Sequence, residues 1–525
     1  MRYLYFSLVF VLILASCQSG TESEGEALAK KNCASCHKFP DPSLLDKKTW
    51  KEGVLPEMAY RLGVGNRFEL LTKIPEEQYE SAINLGIYPE TPEISQKDWE
   101  AIVAYYVENA PEKPLPQAKK VTISAETLHF SSREIIYPEE PTGVVTSVTF
   151  NPKLKEVWIG KRNQKLEILD AQLKIKKTIP TERPIVHANF HNNKSYFLSI
   201  GKMSPNDQKL GSLLILNPKN VLTLAADSLK RPVDLQISDI DQDGIDDFVI
   251  CEYGFEAGEL IWVNGKTKKK NILKIQAGTR NVSIKDMTGD GLPDILVLTA
   301  QSREGVSLFI NKGEGKFMEK PILLFDSVYG CSFMEVVDFN QDGKNDIMIT
   351  NGDNADYSKT LKNYHGVHIF LNDGRNNFKE KYFYPVYGAT KTIARDFDLD
   401  GDLDLAMIAF YAEPIMPKNE SFLYFQNQGN LNFKVSNLNI PFGGRWMVMD
   451  AGDADQDGDA FGDPANVMES DCNTVLIGYV GNDLDCDDTN ANINPDIPEV
   501  CNGLDDNCNG GEIDEFVTNT YYQDA

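Results

Sequence analysis

The stretch that decides the fold is DIDQDGIDDFVI, residues 239–250. Acidic side chains occupy its first, third, fifth and ninth positions, glycine occupies the sixth, and an apolar, strand-like run follows. Closely similar stretches begin at Asp286, Asp338 and Asp396, with a period of roughly fifty residues. This period is about the length of one propeller blade, so the repeats predict an all-β propeller.

Each loop is also a candidate calcium site. Alternate residues of a tight loop point oxygen atoms at one centre, and glycine permits the sharp turn, as in an EF-hand. Oxygen ligands without histidine or thiolate favour Ca²⁺ over transition metals. One such loop is compatible with a solvated acidic hairpin, but four in phase argue against that alternative. The predicted ligands are Asp239, Asp241, Asp243, Asp247, Asp286, Thr288, Asp290, Asp294, Asp338, Asn340, Asp342, Asp346, Asp396, Asp398, Asp400 and Asp404.

At these residues the chain resembles the FG-GAP/VCBS repeats of integrin-α-like β-propellers. The resemblance implies a structural role for Ca²⁺, which pins the loop between two strands of a blade. Segments 144–169 and 186–216 lack the loop but keep a strand-rich pattern, and a further unit begins at Trp446. We therefore expect a seven-bladed propeller over residues 136–463, with its last blade incomplete.

The repeats offer no nucleophile or acid–base pair of catalytic spacing. Their histidines are scattered, and each is interpreted as a surface or core residue: His187, His191, His365 and His368. Cys251 and Cys331 lie in or beside strand-like segments and are expected to be buried thiols.

A second motif, Cys33-Ala-Ser-Cys36-His37, is the attachment signature of covalent heme c. The alternatives are a zinc knuckle or a structural disulfide. Between residues 18 and 115 the only methionine is Met58, which makes it the candidate sixth ligand of the iron beside His37. The alternatives are that Met58 only packs in the hydrophobic core, or that the iron is five-coordinate. A helix is expected over 25–31, and another is expected after Ser95, which begins a capping-box pattern. With these helices, residues 25–112 resemble a class I cytochrome c, which implies one-electron transfer.

The N-terminus indicates export. Residues 1–16 have a positive start and a short apolar run, as in a signal peptide. The run ends in Leu14-Ala-Ser-Cys17, which resembles a bacterial lipobox and implies lipidation of Cys17. An ordinary secretory signal is the alternative. Residues 17–24 are expected to be a tether, and residues 113–135 a linker.

The C-terminal residues 464–525 are rich in aspartate and cysteine. Just before them, a fifth acidic loop departs from the repeat pattern, because Phe461 stands at its ninth position; it offers Asp453, Asp455 and Asp457. The segment resembles the MopE-type metal-binding motif of bacterial surface proteins, with a solvated spacer as the alternative. Its cysteines suggest two disulfides with three possible connectivities: Cys472, Cys486, Cys501 and Cys508.

These patterns together predict a multidomain chain: a small all-α cytochrome c domain, an all-β seven-bladed propeller and a disulfide-rich irregular segment. The formal net charge of −26 argues against nucleic acid as a partner. The expected function is electron transfer at the bacterial outer membrane or cell surface, anchored by lipid and outside the cytoplasm. A redox partner protein or small electron donor would serve the heme, and the propeller would hold a glycan or protein ligand. The alternatives are a heme-coupled sugar or alcohol oxidoreductase and a calcium-dependent adhesion protein.

Overall fold

The computed structural model describes residues 22–74, 84–124, 145–217, 219–352, 360–410, 420–437 and 446–452. A helical segment, residues 22–110, comes first in the chain, and six four-stranded sheets follow it. None of the helices within these ranges combines the length and the apolar character needed to cross a membrane.

The described part of the helical segment contains five α-helices of three to fourteen residues. Its α-helices are α1 (Glu24–Cys33), α2 (Lys47–Thr49), α3 (Leu55–Arg61), α4 (Arg67–Lys73) and α5 (Gln96–Asn109). A 3₁₀ turn covers Pro42–Leu44, and a π-helical turn, Trp50–Val54, joins α2 to α3. The predicted cap at Ser95 is confirmed, since its side chain accepts a hydrogen bond from the Asp98 backbone N–H at 3.1 Å.

Helix α1 packs closely against α5. A Cβ atom on Gly25 would lie 2.4 Å from the Ala101 carbonyl oxygen, so glycine permits the close approach of the two helices. Trp50 and Tyr106 fill the core between them, with ring centroids 4.5 Å apart. The Trp50 indole N–H donates to the Pro42 carbonyl oxygen at 2.8 Å, so this buried polar group is satisfied.

The six sheets are antiparallel meanders whose strands pair in chain order. We call them blades 1 to 6. Blades 1 to 3 contain β1 (Val145–Asn151), β2 (Glu156–Lys161), β3 (Lys165–Leu169), β4 (Ile175–Pro180), β5 (Ile185–His191), β6 (Lys194–Ser199), β7 (Gly211–Leu216), β8 (Leu222–Leu229), β9 (Pro232–Ser238), β10 (Asp247–Glu252), β11 (Glu259–Val263) and β12 (Lys270–Ile275). Blades 4 to 6 contain β13 (Thr279–Lys285), β14 (Asp294–Thr299), β15 (Gly305–Asn311), β16 (Phe317–Leu324), β17 (Cys331–Val337), β18 (Asp346–Asn351), β19 (Gly366–Asn372), β20 (Phe378–Pro385), β21 (Ala389–Arg395), β22 (Asp404–Ala409), β23 (Phe422–Asn427) and β24 (Phe433–Ser436).

The first strand of each blade is the innermost. Successive first strands contact one another from β1 through β5, β9, β13 and β17 to β21, as in a propeller. Side chains on these strands accept hydrogen bonds from backbone N–H groups of the next blade. The pairs are Asp234 with Val282 (2.7 Å), Asn281 with Met334 (2.9 Å) and Glu335 with Ala394 (2.8 Å).

A short bridge segment, residues 446–452, lies between blade 6 and blade 1. On one side, the Thr390 hydroxyl donates to the Trp446 carbonyl oxygen at 2.8 Å. On the other, the Phe150 backbone N–H donates to Asp450 Oδ2 at 2.8 Å. The bridge segment therefore joins the last blade to the first.

The predicted fold class is wrong in two respects. The described residues form six four-stranded sheets rather than seven, because the apolar run at Trp446 wedges between two blades instead of opening a further sheet. The small all-α cytochrome c domain is not matched either. Of the helices that the structure describes in this segment, α1 and α5 alone reach ten residues, and the segment packs on the propeller through polar contacts. These contacts are Arg61 with Glu256 (2.8 Å), Lys38 with Asp326 (3.0 Å) and Thr49 with Thr360 (2.7 Å).

Candidate functional site: acidic loops and the cysteine motif

The four predicted acidic loops occupy one equivalent place in blades 3 to 6. Each loop begins directly after the first strand of its blade, and its ninth residue is the first residue of the second strand. This placement follows from the sequence, since the apolar run after each loop is the second strand. The loops begin at Asp239, Asp286, Asp338 and Asp396.

The sixth-position glycine is required by the backbone. Gly244 and Gly401 have φ angles of 84° and 95°, in the region that favours glycine. The turn directs backbone N–H groups at the first aspartate, so that Gly244 N donates to Asp239 Oδ2 at 2.8 Å and Gly401 N donates to Asp396 Oδ2 at 3.0 Å. The first aspartate thus holds the loop closed and fixes the direction of its own carboxylate.

The ninth-position aspartates are fully buried and hold the loop to the sheet. In blade 5, Asp346 accepts from the Phe339 N–H inside the loop at 3.0 Å and from the Asn372 N–H on the third strand at 2.8 Å. In blade 6, burial raises the pKa of Asp404 to about 7, and the Tyr424 hydroxyl donates to its Oδ2 at 2.5 Å. These residues were predicted as calcium ligands, and the structure gives them a second task as connectors of loop and strand.

Carboxylates converge in two of the loops. Each group has three ligand oxygens, one from each residue, within 4.8 Å of one another. The groups are Asp239, Asp241 and Asp247 in blade 3, and Asp396, Asp398 and Asp400 in blade 6. Unpaired carboxylates this close repel one another, whereas a divalent cation would neutralise them.

One buried oxygen in each group lacks a partner. Asp241 Oδ1 and Asp396 Oδ1 are buried and accept no hydrogen bond from any residue that the structure describes. Buried acceptors are normally satisfied, so an orphaned oxygen in each group fits a bound cation. The donor set of carboxylate oxygens fits Ca²⁺.

The other predicted calcium ligands do not belong to these two groups of close carboxylates. In blades 4 and 5 the third position is Thr288 or Asn340, which leaves fewer carboxylates in these loops. Asp342 is engaged by Lys344 at 3.1 Å, and Asp243 lies 3.3 Å from Lys266. Asp290 has the same place in its loop as Asp243 and accepts from the Leu292 N–H at 3.0 Å. Asp453, Asp455, Asp457, Cys17 and the four C-terminal cysteines lie outside the described residues.

A set of amides that the sequence patterns did not predict supports the loops. An asparagine stands at or directly after the end of the third strand in blades 3 to 6: Asn264, Asn311, Asn372 and Asn427. Asn264 Nδ2 donates to Asp241 Oδ2 at 2.8 Å. In the other three blades the amide donates to the carbonyl of the residue before the ninth-position aspartate. A repeated asparagine at one place in each blade was the available signal.

The cysteine motif lies at the end of α1. Cys33 and Cys36 are free thiols in the structure, Cys33 half-buried and Cys36 exposed. Burial raises the pKa of Cys33 to about 11. Met58 lies within helix α3 and packs on the same apolar cluster as Cys33. Pro56 stands in the first turn of α3, a place that proline tolerates, so it starts this helix instead of breaking it.

His37 lies where the helical segment meets the propeller. Its Nδ1 is 2.9 Å from the Lys38 carbonyl oxygen, and this pairing leaves Nε2 available as a ligand atom. Burial lowers the pKa of His37. The Arg303 guanidinium donates to the neighbouring Cys36 carbonyl oxygen at 2.5 Å, so a propeller residue positions the motif.

His365, His368 and the isolated cysteines of the propeller are core groups. His365 is completely buried, and His368 stacks on Phe383 at 4.3 Å between ring centroids. Cys251 and Cys331 are buried free thiols, as predicted.

Two family matches agree with these observations. Residues 286–349, which include the acidic loops of blades 4 and 5, match the family described as "FG-GAP-like repeat". Residues 485–515 match the family described as "Putative metal-binding motif", of the MopE type. A search of the curated proteins gave no match.

Solved structures show only distant likeness. The chain is similar to a "putative 6-phosphogluconolactonase" from Bacteroides uniformis, with 12% identity and a TM-score of 0.38 over 55% of this chain and 83% of that one. It is also similar to the WD40 domain of Pan2 from Neurospora crassa, with 10% identity and a TM-score of 0.38 over 58% of this chain and 83% of that one. Likeness at this level carries no argument about function. The chain therefore combines a six-bladed β-propeller, which matches the FG-GAP-like repeat over residues 286–349, with a match to the MopE-type motif over residues 485–515.

Proposed function

We propose that this protein is a calcium-dependent binding protein whose propeller holds a protein or glycan ligand. The observation that carries the proposal is the pair of carboxylate groups in blades 3 and 6, each with one buried oxygen that lacks a partner. Ca²⁺ at these groups would fix the loops on one edge of the propeller, and the FG-GAP-like repeats support a role in binding.

Calcium titration of the full chain tests this proposal. Isothermal titration calorimetry should detect Ca²⁺ binding, and Asp398→Asn with Asp400→Asn should remove one class of sites. Asparagine keeps the size of each side chain and one acceptor oxygen, so the loop can still close. Glu314→Gln is the matched control, since its side chain is 83% exposed and lies outside the two groups.

A glycan array then tests the ligand class. The full chain should retain glycans in the presence of Ca²⁺ and release them on chelation. The proposal would be overturned if glycans stayed bound after chelation, or if calorimetry detected no Ca²⁺ binding. Binding of Ca²⁺ with an empty array would point to a protein ligand.

A second candidate function is electron transfer by covalent heme c in the helical segment. The observation that favours it is the common apolar cluster that holds Cys33 and Met58, with His37 four residues along the chain from Cys33. Two free thiols at the attachment spacing and an imidazole with Nε2 available fit this group. Cys33 and Cys36 would attach the heme, and His37 and Met58 would hold its iron.

Bound heme would supply one-electron transfer at a potential set by its ligands. Tyr106 lines the same core, and its hydroxyl donates to the Pro40 carbonyl oxygen at 2.9 Å, which fixes the chain just after the motif. The electrons would come from a redox partner protein or a small donor. In this proposal Cys17 carries lipid and anchors the chain, outside the cytoplasm, at the bacterial outer membrane or cell surface.

A heme stain of the exported protein after denaturing electrophoresis tests this candidate. The unmutated chain should stain, and Cys33→Ala with Cys36→Ala should not. Cys251→Ala is the matched control, because it removes a buried propeller thiol. Heme that acid-acetone extracts from the unmutated protein would contradict covalent attachment.

A further inference from the structure

The helical segment docks on the face of the propeller that lies opposite the acidic loops. The acidic loops follow the first strands of their blades, whereas the segment contacts loops that follow second or fourth strands. In antiparallel sheets whose strands pair in chain order, these two kinds of loop lie at opposite edges. The contact residues are Glu256, Arg303 and Thr360 after second strands, and Asp326 after a fourth strand. The cysteine motif and the acidic loops therefore lie on opposite faces.

Arg303 joins the propeller to the cysteine motif. Its Nε donates to the Cys36 carbonyl oxygen at 2.5 Å. The side chain is exposed, and its guanidinium forms no ion pair with any residue that the structure describes. A guanidinium group carries five N–H donors and a permanent positive charge, so it can hold the carbonyl and still present its charge beside the motif.

The backbone around Arg303 is fixed by the sheets. Gln276 Nε2 donates to the Arg303 carbonyl oxygen at 3.0 Å. The next residue, Glu304, is buried, and its carboxylate accepts from the Cys331 N–H at 2.7 Å. The preceding residue, Ser302, has a φ angle of 45°, in the left-handed region that few residues other than glycine adopt. Such a backbone persists only where its surroundings hold it, and it is common at functional positions.

The other charges at this interface are paired. Arg61 and Lys38 each form an ion pair with a propeller carboxylate, at 2.8 Å and 3.0 Å. Burial is the main cause that lowers the pKa of His37, and the positive charges of Arg303 and Arg61 lower it further. The Glu304 carboxylate is buried against the next blade, whereas the Arg303 side chain is exposed. Arg303 thus brings a positive charge without an ion pair to the motif.

We propose that Arg303 is a positioning residue that raises the reduction potential of heme bound at Cys33, Cys36 and His37. A nearby cation stabilises the reduced state of heme iron, which carries one positive charge fewer than the oxidised state. This inference rests on the second candidate function and deepens it, since it assigns to the propeller the task of setting the potential. A unit charge about 10 Å from a redox centre changes its reduction equilibrium by about twofold to sixteenfold, at effective dielectric constants from 80 to 20.

Optical redox titration of the exported full chain tests the inference. Arg303→Gln should weaken heme reduction by at least about threefold, which is about 28 mV for a one-electron couple. Arg303→Glu should shift the potential about twice as far, because it changes the charge by two, and Arg303→Lys should restore most of the potential. Arg162→Gln is the matched control, since Arg162 is exposed in the equivalent turn of blade 1, between its second and third strands.

The heme stain on the same samples separates the two proposals. A stained protein with the same potential in Arg303→Gln and Arg162→Gln would overturn the inference and leave the second candidate function standing. An unmutated chain that does not stain would reject both.

Salt provides a second measurement. The charge of Arg303 is exposed, so the potential difference between the unmutated chain and Arg303→Gln should shrink as ionic strength rises. A difference that is independent of salt, or an equal loss of potential in Arg303→Lys and Arg303→Gln, would show that the charge is not the cause and would overturn the inference.

Discussion

Removal of calcium should destabilise the propeller by a predictable amount. A cation that binds only the folded state adds about 2.7 kcal/mol when its free concentration is 100 times its Kd. The structure shows two convergent carboxylate groups, so their combined effect is about 5 kcal/mol under that condition. For a chain of this size, 1 kcal/mol moves the melting temperature by about 2 °C. Chelation should therefore lower the melting temperature by roughly 10 °C.

The double substitution Asp398→Asn with Asp400→Asn should shift the melting temperature in opposite directions in chelator and in Ca²⁺. Ligand oxygens in this group lie within 4.8 Å of one another. At that distance two unit negative charges repel by about 1 kcal/mol in water and about 3.5 kcal/mol at an effective dielectric constant of 20. In chelator the variant should melt above the unmutated protein, because two charges are gone. In Ca²⁺ it should melt below, because one site is lost.

Differential scanning calorimetry of both proteins, in Ca²⁺ and in chelator, measures the four melting temperatures. Glu314→Gln should behave as the unmutated protein in both conditions. An equal loss of stability in both conditions would refute the reasoning, since it would mean that the aspartates serve only as hydrogen-bond acceptors. An unmutated protein that is insensitive to the chelator would also refute it.

Three further predictions concern single residues. Asp346→Ala should lower the unfolding free energy by about 2–5 kcal/mol in urea titrations in chelator, because it leaves the buried N–H groups of Phe339 and Asn372 without an acceptor. Glu314→Ala should change the unfolding free energy little. His365 is fully buried and its pKa lies well below the usual value, so stability should fall as pH drops through about 6.5, by at most about 1.4 kcal/mol per pH unit. In His365→Leu, the midpoint of urea unfolding should depend less on pH below about 6.5. The same pH dependence in the variant and the unmutated protein would show that His365 is not the cause. Under the proposal of covalent heme c, Met58→Ala should abolish a weak near-infrared band of the oxidised form, whereas Met318→Ala, at a methionine that is 50% exposed, should retain it.

The repeat pattern predicted most of the sheet architecture. Each acidic loop lies where the apolar run after it implied, between the first and second strands of its blade, and Gly244 has the left-handed conformation that the loop requires. The segments predicted at 144–169 and 186–216 supply strands of blades 1 and 2, whose described strands span residues 145–180 and 185–229. Period and loop chemistry are local properties, so sequence alone reports them well.

The number of blades and the tasks of individual side chains depend on tertiary contacts. The run at Trp446 has the apolar character of a strand, but its hydrogen bonds go to Thr390 and Ala409 of blade 6 and to Phe150 of blade 1, so it bridges two existing sheets. Asp346 joins its loop to the third strand through the Phe339 and Asn372 N–H groups, and this task exists only once the strands have paired.

The bridge segment makes one junction between blades different from the other five. Five junctions bring innermost strands directly together, whereas the sixth is filled by seven residues that lead into the chain's C-terminal part. A pull on that end loads the Asp450 to Phe150 hydrogen bond first, and Gly452, whose added Cβ would lie 1.9 Å from the Phe150 ring, follows the same path. Opening should then begin between blades 6 and 1, while the other five junctions keep their register. The ring would thereby yield at one defined place when tension is applied on the C-terminal side of the bridge segment.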